Sequence, residues 1–103
     1  MEFIETRQFM KAANTLLSED KLRRLQIILS CYPQMGPVIP GTGGLRKIRW
    51  DLGGRGKRGG LRIIYYWVTE SEQIYLLYMY KKSKQDDLTP DQIRNLRKLM
   101  EED

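Results

Sequence analysis

The spacing of apolar positions changes twice along the chain. From Thr6 to Leu17, Phe9, Ala12, Ala13 and Leu16 recur every three or four residues and fall on one face of a helix. Ser18, followed by Glu19 and Asp20, reads as an N-cap with acids at the positive end of the next helix dipole. Leu22, Leu25, Ile28, Leu29 and Tyr32 keep the helical spacing until Pro33 stops it. These stretches predict a helical hairpin lying on one side of a sheet. After a Pro- and Gly-rich loop, 33–44, the pattern turns strand-like. The runs 45–50, 61–68 and 74–80 are rich in Ile, Tyr and Trp and are separated by turn-forming segments, which predicts an antiparallel meander. Glu2–Glu5 suffices for a short first strand. Near the C-terminal end, Leu88, Thr89, Pro90, Gln92 and Ile93 fit the N′, N-cap, N1, N3 and N4 positions of a stapled capping box. Ile93, Leu96, Leu99 and Met100 then form the expected buried stripe. The pattern predicts a single α+β domain over residues 1–103.

Charge changes this picture of a plain small domain. The 103 residues carry 18 Lys and Arg against 13 Asp and Glu, a net charge of +5, which points to an anionic partner. The excess sits in the middle: Arg46, Lys47, Arg49, Arg55, Lys57, Arg58 and Arg62 stand against the single acid Asp51. The first 32 residues are nearly balanced, and the stretch after Asp86 is acidic. With one cysteine, Cys31, no internal disulfide forms, and a reducing compartment is expected. Cys31 itself is expected to be a small buried hydrophobe. The start of the chain lacks a signal-peptide pattern and no apolar run is long enough for a membrane span, so the expected location is cytoplasmic, with no membrane partner. The sequence has no histidine, which removes the commonest acid–base residue and metal ligand and leaves no zinc site. Neither a metal nor a cofactor is expected.

Strand period sorts the cations. In 45–50, Lys47 and Arg49 oppose Ile48 and Trp50; in 61–68, Arg62, Ile64 and Tyr66 oppose Leu61, Ile63 and Tyr65. If Ile48 and Ile63 pack on the helices, Lys47, Arg49 and Arg62 share the other face. Lys82 has the parity of Tyr78 and Tyr80 and is expected to close the same groove. Cations for phosphates and aromatic rings for unstacked bases together suit single-stranded RNA. The plain alternative is a solvated face of an open antiparallel sheet. Gly54–Gly59 has the spacing of a dinucleotide fingerprint, but a strand follows where that motif needs a helix. It reads instead as a hairpin loop, either merely flexible or a basic tip touching phosphates through Lys57 and Arg58. Asp86 and Asp87 read as solvated loop carboxylates rather than as ligands of Mg²⁺.

The stretches Gly41–Trp50, Gly56–Trp67 and Tyr75–Leu96, in this order and spacing, resemble the HigB branch of the RelE-type toxins of bacterial toxin–antitoxin modules. The resemblance is densest over residues 36–100. It implies a RelE-like, microbial-RNase-type α+β fold: an antiparallel sheet with the helical hairpin on one face, and a C-terminal helix. It also implies an mRNA endonuclease, or mRNA interferase, acting on the translating 70S ribosome. A cognate helix-turn-helix antitoxin, HigA-like, would bind the toxin, and operator DNA would be met only through that antitoxin.

Position by position, Lys47-Ile48-Arg49 matches the family's basic–apolar–basic strand. Gly60-Leu61-Arg62 resembles the strand whose arginine binds the scissile phosphate, and Lys82 stands where relatives have a second phosphate-binding cation. Arg46, Arg55, Arg58, Tyr66, Lys81 and Lys84 are the expected RNA contacts around them. Leu88 occupies the place of a tyrosine that acts on the 2′-hydroxyl in some relatives. Tyr80, Tyr66 or a lysine is left to stand in for it. Metal-free cleavage needs the 2′-hydroxyl to attack the neighbouring phosphate, and most of the help required is charge stabilisation, which Arg62 and Lys82 can supply. Clustered cations favour the neutral form of a nearby lysine, which makes Lys47 or Lys57 a candidate proton acceptor. Two other readings use the same cations: an RNA-binding module without the cut, and a basic subunit docking an acidic partner.

Overall fold

Thr6 joins the first two elements. In a computed structural model of the chain, which describes residues 1–50 and 60–101, β1 (Glu2–Glu5) ends at Thr6 and α1 (Arg7–Leu16) begins directly after it. The Thr6 hydroxyl accepts a hydrogen bond from the Phe9 amide at 3.0 Å, the N-cap geometry. Ser18 caps α2 (Glu19–Cys31) in the same way, accepting from the Lys21 amide at 3.2 Å. Three further strands, β2 (Arg46–Trp50), β3 (Leu61–Val68) and β4 (Gln73–Lys81), and the terminal helix α3 (Pro90–Glu101) complete the order. The capping box predicted for α3 is present: the Thr89 amide donates to the Gln92 side chain at 3.0 Å, and the Gln92 amide donates to the Thr89 hydroxyl at 3.1 Å.

The sheet order is β1-β4-β3-β2. β2, β3 and β4 form the expected antiparallel meander, but β1 pairs with β4 in parallel, so the sheet is mixed. The helical hairpin carries the chain across between β1 and the meander so that β2 starts in the same direction as β1, and a parallel edge of this kind needs such a long crossover.

One irregularity decides which residues face which way. Ile64 pairs with Tyr78, but Tyr65 pairs with Leu76, so Leu77 is an extra residue in β4. As a result Leu77, Tyr78 and Tyr80 all lie on one face, while Ile74, Leu76 and Met79 lie on the other. The Leu77 carbonyl accepts a hydrogen bond from the Thr6 hydroxyl at 2.7 Å, which satisfies a group the bulge takes out of the ladder.

Two cores result. On one face Phe9, Ala13, Leu25 and Leu29 of the hairpin pack on Ile48, Leu61, Ile63, Tyr65, Ile74, Leu76 and Met79. On the other, α3 lays Leu96 on Leu45, Ile64, Leu77 and Tyr80. The second face is therefore not the open basic surface that strand parity alone suggests: its middle is an apolar core and its cations are confined to one end. Three expected core positions are at the surface, among them Tyr32, just past α2. Leu99 of α3 is 38% exposed, and Cys31, at the last turn of α2, is exposed. Among the described residues no helix is long and apolar enough to cross a membrane.

Candidate functional site

Strand register sets the basic side chains out in rungs. Arg49 of β2 lies opposite Arg62 of β3, and Arg62 opposite Tyr80 of β4. One rung along, Lys47 lies opposite Ile64, and Ile64 opposite Tyr78. Ile64 and Tyr80 belong to the core beneath α3, so Lys47, Arg49 and Arg62 share that face. Like charges directly across a ladder repel. The Arg49–Arg62 rung sets two cations side by side, Arg49 exposed and Arg62 buried.

Arg62 is 7% exposed. Its Nη1 donates to the Leu61 carbonyl at 3.2 Å, and among the described residues no carboxylate forms an ion pair with it. A buried charge without a counterion is expensive. A Cβ on Gly60 would come within 3.4 Å of the Arg62 Nη1, so the glycine keeps the approach to the guanidinium open. The Lys82 amide donates to the Gly60 carbonyl at 3.1 Å, which anchors the Lys82 backbone beside the start of β3, its side chain exposed.

Tyr80 is almost fully buried, and its hydroxyl donates a long hydrogen bond, 3.4 Å, to the Asp86 carbonyl. Burial above all, then the negative charge of Asp87, holds its phenol above the ordinary value of 10.0, with Arg62 pulling the other way. At neutral pH this hydroxyl is a proton donor, not a base. The Tyr78 ring leans against it, centroids 5.7 Å apart.

The residue that parity could not reveal is Asp87. Its carboxylate lies 3.0 Å from the Lys47 Nζ, across forty positions of sequence. The capping box places it there: the Gln85 side chain donates to both the Asp87 carbonyl and the Gln92 side chain, each at 2.9 Å. Asp87 is the exposed loop carboxylate expected, and it also pairs with Lys47. Its place immediately ahead of the N′ residue Leu88 was the available signal.

Other expected contacts lie elsewhere. Arg46 has the parity of Ile48, on the hairpin side; its Nη1 donates to the Gly36 carbonyl at 2.7 Å and the Gln34 carbonyl at 3.3 Å, and its guanidinium lies 5.7 Å from the Trp67 ring centroid. Lys81 has the opposite parity to Tyr80, and Lys84 is exposed in the turn after β4. Tyr66 is on the cationic face but two rungs from Arg62, beside Arg97 of α3. Arg55, Lys57 and Arg58, with the rest of Gly54–Gly59, lie outside the described residues.

No protein-family model matches the sequence. Solved structures do resemble it. The chain is similar to the E. coli toxin RelE, determined in the free state as a double arginine-to-alanine mutant, with a TM-score of 0.65 and 13% identity over 96% of this chain and 95% of that one. It is similar to the intact E. coli RelBE toxin–antitoxin complex, TM-score 0.60 and 16% identity over 78% of this chain and 94% of that one. The archaeal RelE–RelB complex from Pyrococcus horikoshii OT3 aligns with a TM-score of 0.52 and 25% identity, over 82% and 97%. The mixed four-stranded sheet, with its N-terminal helical hairpin and C-terminal helix, is the fold of the RelE toxins.

Proposed function

We propose that the chain is the toxin of a toxin–antitoxin pair, an endoribonuclease of the HigB branch that cuts mRNA on the ribosome in the cytoplasm. The observation that carries this reading is Arg62: a buried guanidinium, opposite Arg49 and beside Tyr80, with no carboxylate counterion among the described residues. A phosphodiester supplies the missing charge and accepts the paired N–H donors of a guanidinium. An internal acid would have served a purely structural arginine better.

In the proposed reaction the 2′-hydroxyl oxygen attacks the adjacent phosphorus, the bond to the 5′-oxygen breaks, and a 2′,3′-cyclic phosphate forms. Arg62, with Arg49 and Lys82, stabilises the charge that builds on the phosphoryl oxygens. Tyr80, kept protonated by burial, suits donation to the departing 5′-oxygen. The Lys47–Asp87 pair on the next rung is the acid–base couple nearest to hand for the 2′-hydroxyl proton. The ribosome supplies alignment, which is worth several kcal/mol. The partner is an antitoxin, by extension from the two similar complexes, and the resemblance to the HigB branch makes it a helix-turn-helix protein.

Induced expression without antitoxin tests the reading. Growth and translation should stop, and cleaved mRNA should end in 2′,3′-cyclic phosphate, in chelator as well as without it. Normal growth with abundant soluble protein contradicts the toxin reading, and 5′-phosphate products contradict the mechanism. A second reading, RNA binding without the cut, draws on the absence of histidine and on a Tyr80 that cannot serve as base. It predicts retarded but intact RNA.

A further inference from the structure

The Gly-Thr-Gly-Gly turn, 41–44, is built more firmly than a lead into β2 requires. Thr42 is buried; its hydroxyl donates to the Ile39 carbonyl at 2.6 Å and accepts from the Leu45 amide at 3.1 Å. Gly43 and Gly44 have φ of 77° and 120°, backbone that side chains rarely tolerate. Gly44 also admits a close neighbour, while Gly43 leaves ordinary contact distance to its own. A Cβ on Gly44 would lie 2.8 Å from the Tyr66 ring, and one on Gly43 would lie 3.7 Å from the Arg97 guanidinium.

Tyr66, Arg97, Gly43, Thr42, Leu45 and Met100 line an open pocket of about 210 Å³. Sites for drug-sized ligands start near ~300 Å³, so this one suits a single ring system. Its walls are an aromatic ring, a planar guanidinium and two apolar side chains, the surroundings in which unstacked bases are held. Its position matters as much as its lining. Arg62 and Tyr66 share a face of β3 four residues apart, roughly 13 Å. Lys47 stands on the rung between them, on the edge strand β2.

We propose that this pocket receives one base of single-stranded RNA flanking the cut, packed on Tyr66 and covered by Arg97, so that the Gly41–Gly44 turn and α3 read a nucleotide beside the one that reacts. The proposal rests on the ribonuclease reading above and adds a specificity subsite to it.

The test uses short 2′-O-methyl RNA, which cannot form the cyclic product, titrated against the intact protein. One set of oligonucleotides carries a single abasic nucleotide at each position in turn. The parent should lose roughly five- to hundredfold in affinity at one abasic position, the span observed when a stacked base loses its aromatic platform. Arg97→Ala should weaken the full oligonucleotide by a similar factor and then be insensitive to the abasic position, the signature of a shared interaction. Tyr66→Leu, which keeps the apolar filling, should behave likewise. Arg94→Ala, one turn away on an exposed position of α3, should match the parent. Arg97 is exposed, so its variant reports even if Tyr66→Leu fails to fold. If the parent binds RNA but abasic loss and Arg97→Ala act independently, the subsite is overturned while the ribonuclease reading stands. The subsite is equally overturned if Arg97→Ala weakens only antitoxin binding. If the parent neither binds nor cleaves RNA, both fall.

Discussion

Arg46 and Arg62 stand on neighbouring strands of the same sheet and have opposite fates. Arg46 lies on the hairpin side, where two loop carbonyls accept from it and the Trp67 ring covers it. That arginine serves to hold the 33–36 loop, which the Tyr65 hydroxyl also grips, donating to the Pro33 carbonyl and accepting from the Gly36 amide, each at 2.8 Å. Arg62 lies on the α3 side, where among the described residues it donates to the Leu61 carbonyl and faces Arg49 and Tyr80 across the ladder. Two buried or half-buried guanidinia in one small domain thus differ in what neutralises them. One is satisfied by loop carbonyls, and the other has no carboxylate partner among the described residues. An arginine's environment, not its presence on a strand, separates scaffold from site.

The sharpest way to break that contrast is to truncate both. Arg62→Ala should lower the rate of mRNA cleavage about 10²–10³-fold, the loss of one transition-state charge contact, with the antitoxin still bound and the thermal midpoint nearly unchanged. Arg62→Lys should restore part of the activity, because an ammonium cannot copy a two-pronged contact. Arg46→Ala should do the reverse, costing ~1.5–3 kcal/mol in denaturant titrations while each folded molecule cleaves normally. An active Arg62→Ala protein would move the site off this face.

Truncating each core compares the two faces as packing. Leu25→Ala, in the hairpin core, and Leu96→Ala, under α3, should each cost ~2–5 kcal/mol. Only Leu96→Ala should also depress cleavage in the fraction that remains folded, because α3 carries the cap that positions Asp87. Equal effects on cleavage would mean that α3 does not support the site.

The two buried phenols offer a smaller, pH-resolved version. Tyr65 and Tyr80 are both held above 10.0, chiefly by burial. A group whose folded value is raised stabilises fully below its unfolded value and loses that contribution as pH rises through the folded one. Stability should therefore be flat up to about pH 10 and fall beyond it, and Tyr80→Phe should flatten part of the fall. A slope that Tyr80→Phe leaves untouched would place the titration elsewhere. The smallest effect belongs to Asp87→Asn. Its ion pair is largely exposed on the Asp87 side, so stability should change by less than ~1 kcal/mol. A loss of cleavage without loss of stability would assign Asp87 to the chemistry with Lys47.

Local chemistry made much of this protein legible in the sequence. Hydroxyls at Ser18 and Thr89, helical spacing at Phe9–Ala13 and Leu25–Leu29, and the two-residue alternation around Arg49 and Arg62 are decided by neighbours within a few positions, so these helices, caps and strand faces follow from residue order alone. What tertiary structure alone decided depends on segments distant in the chain. The pairing of β1 in parallel with β4, the extra residue Leu77 that joins the face of Tyr78 and Tyr80, the seat of α3 on Leu45 and Ile64, and the Lys47–Asp87 pair all join positions that no short window contains. A one-residue shift in pairing reverses every side chain beyond it, and only the packed sheet shows where that shift falls.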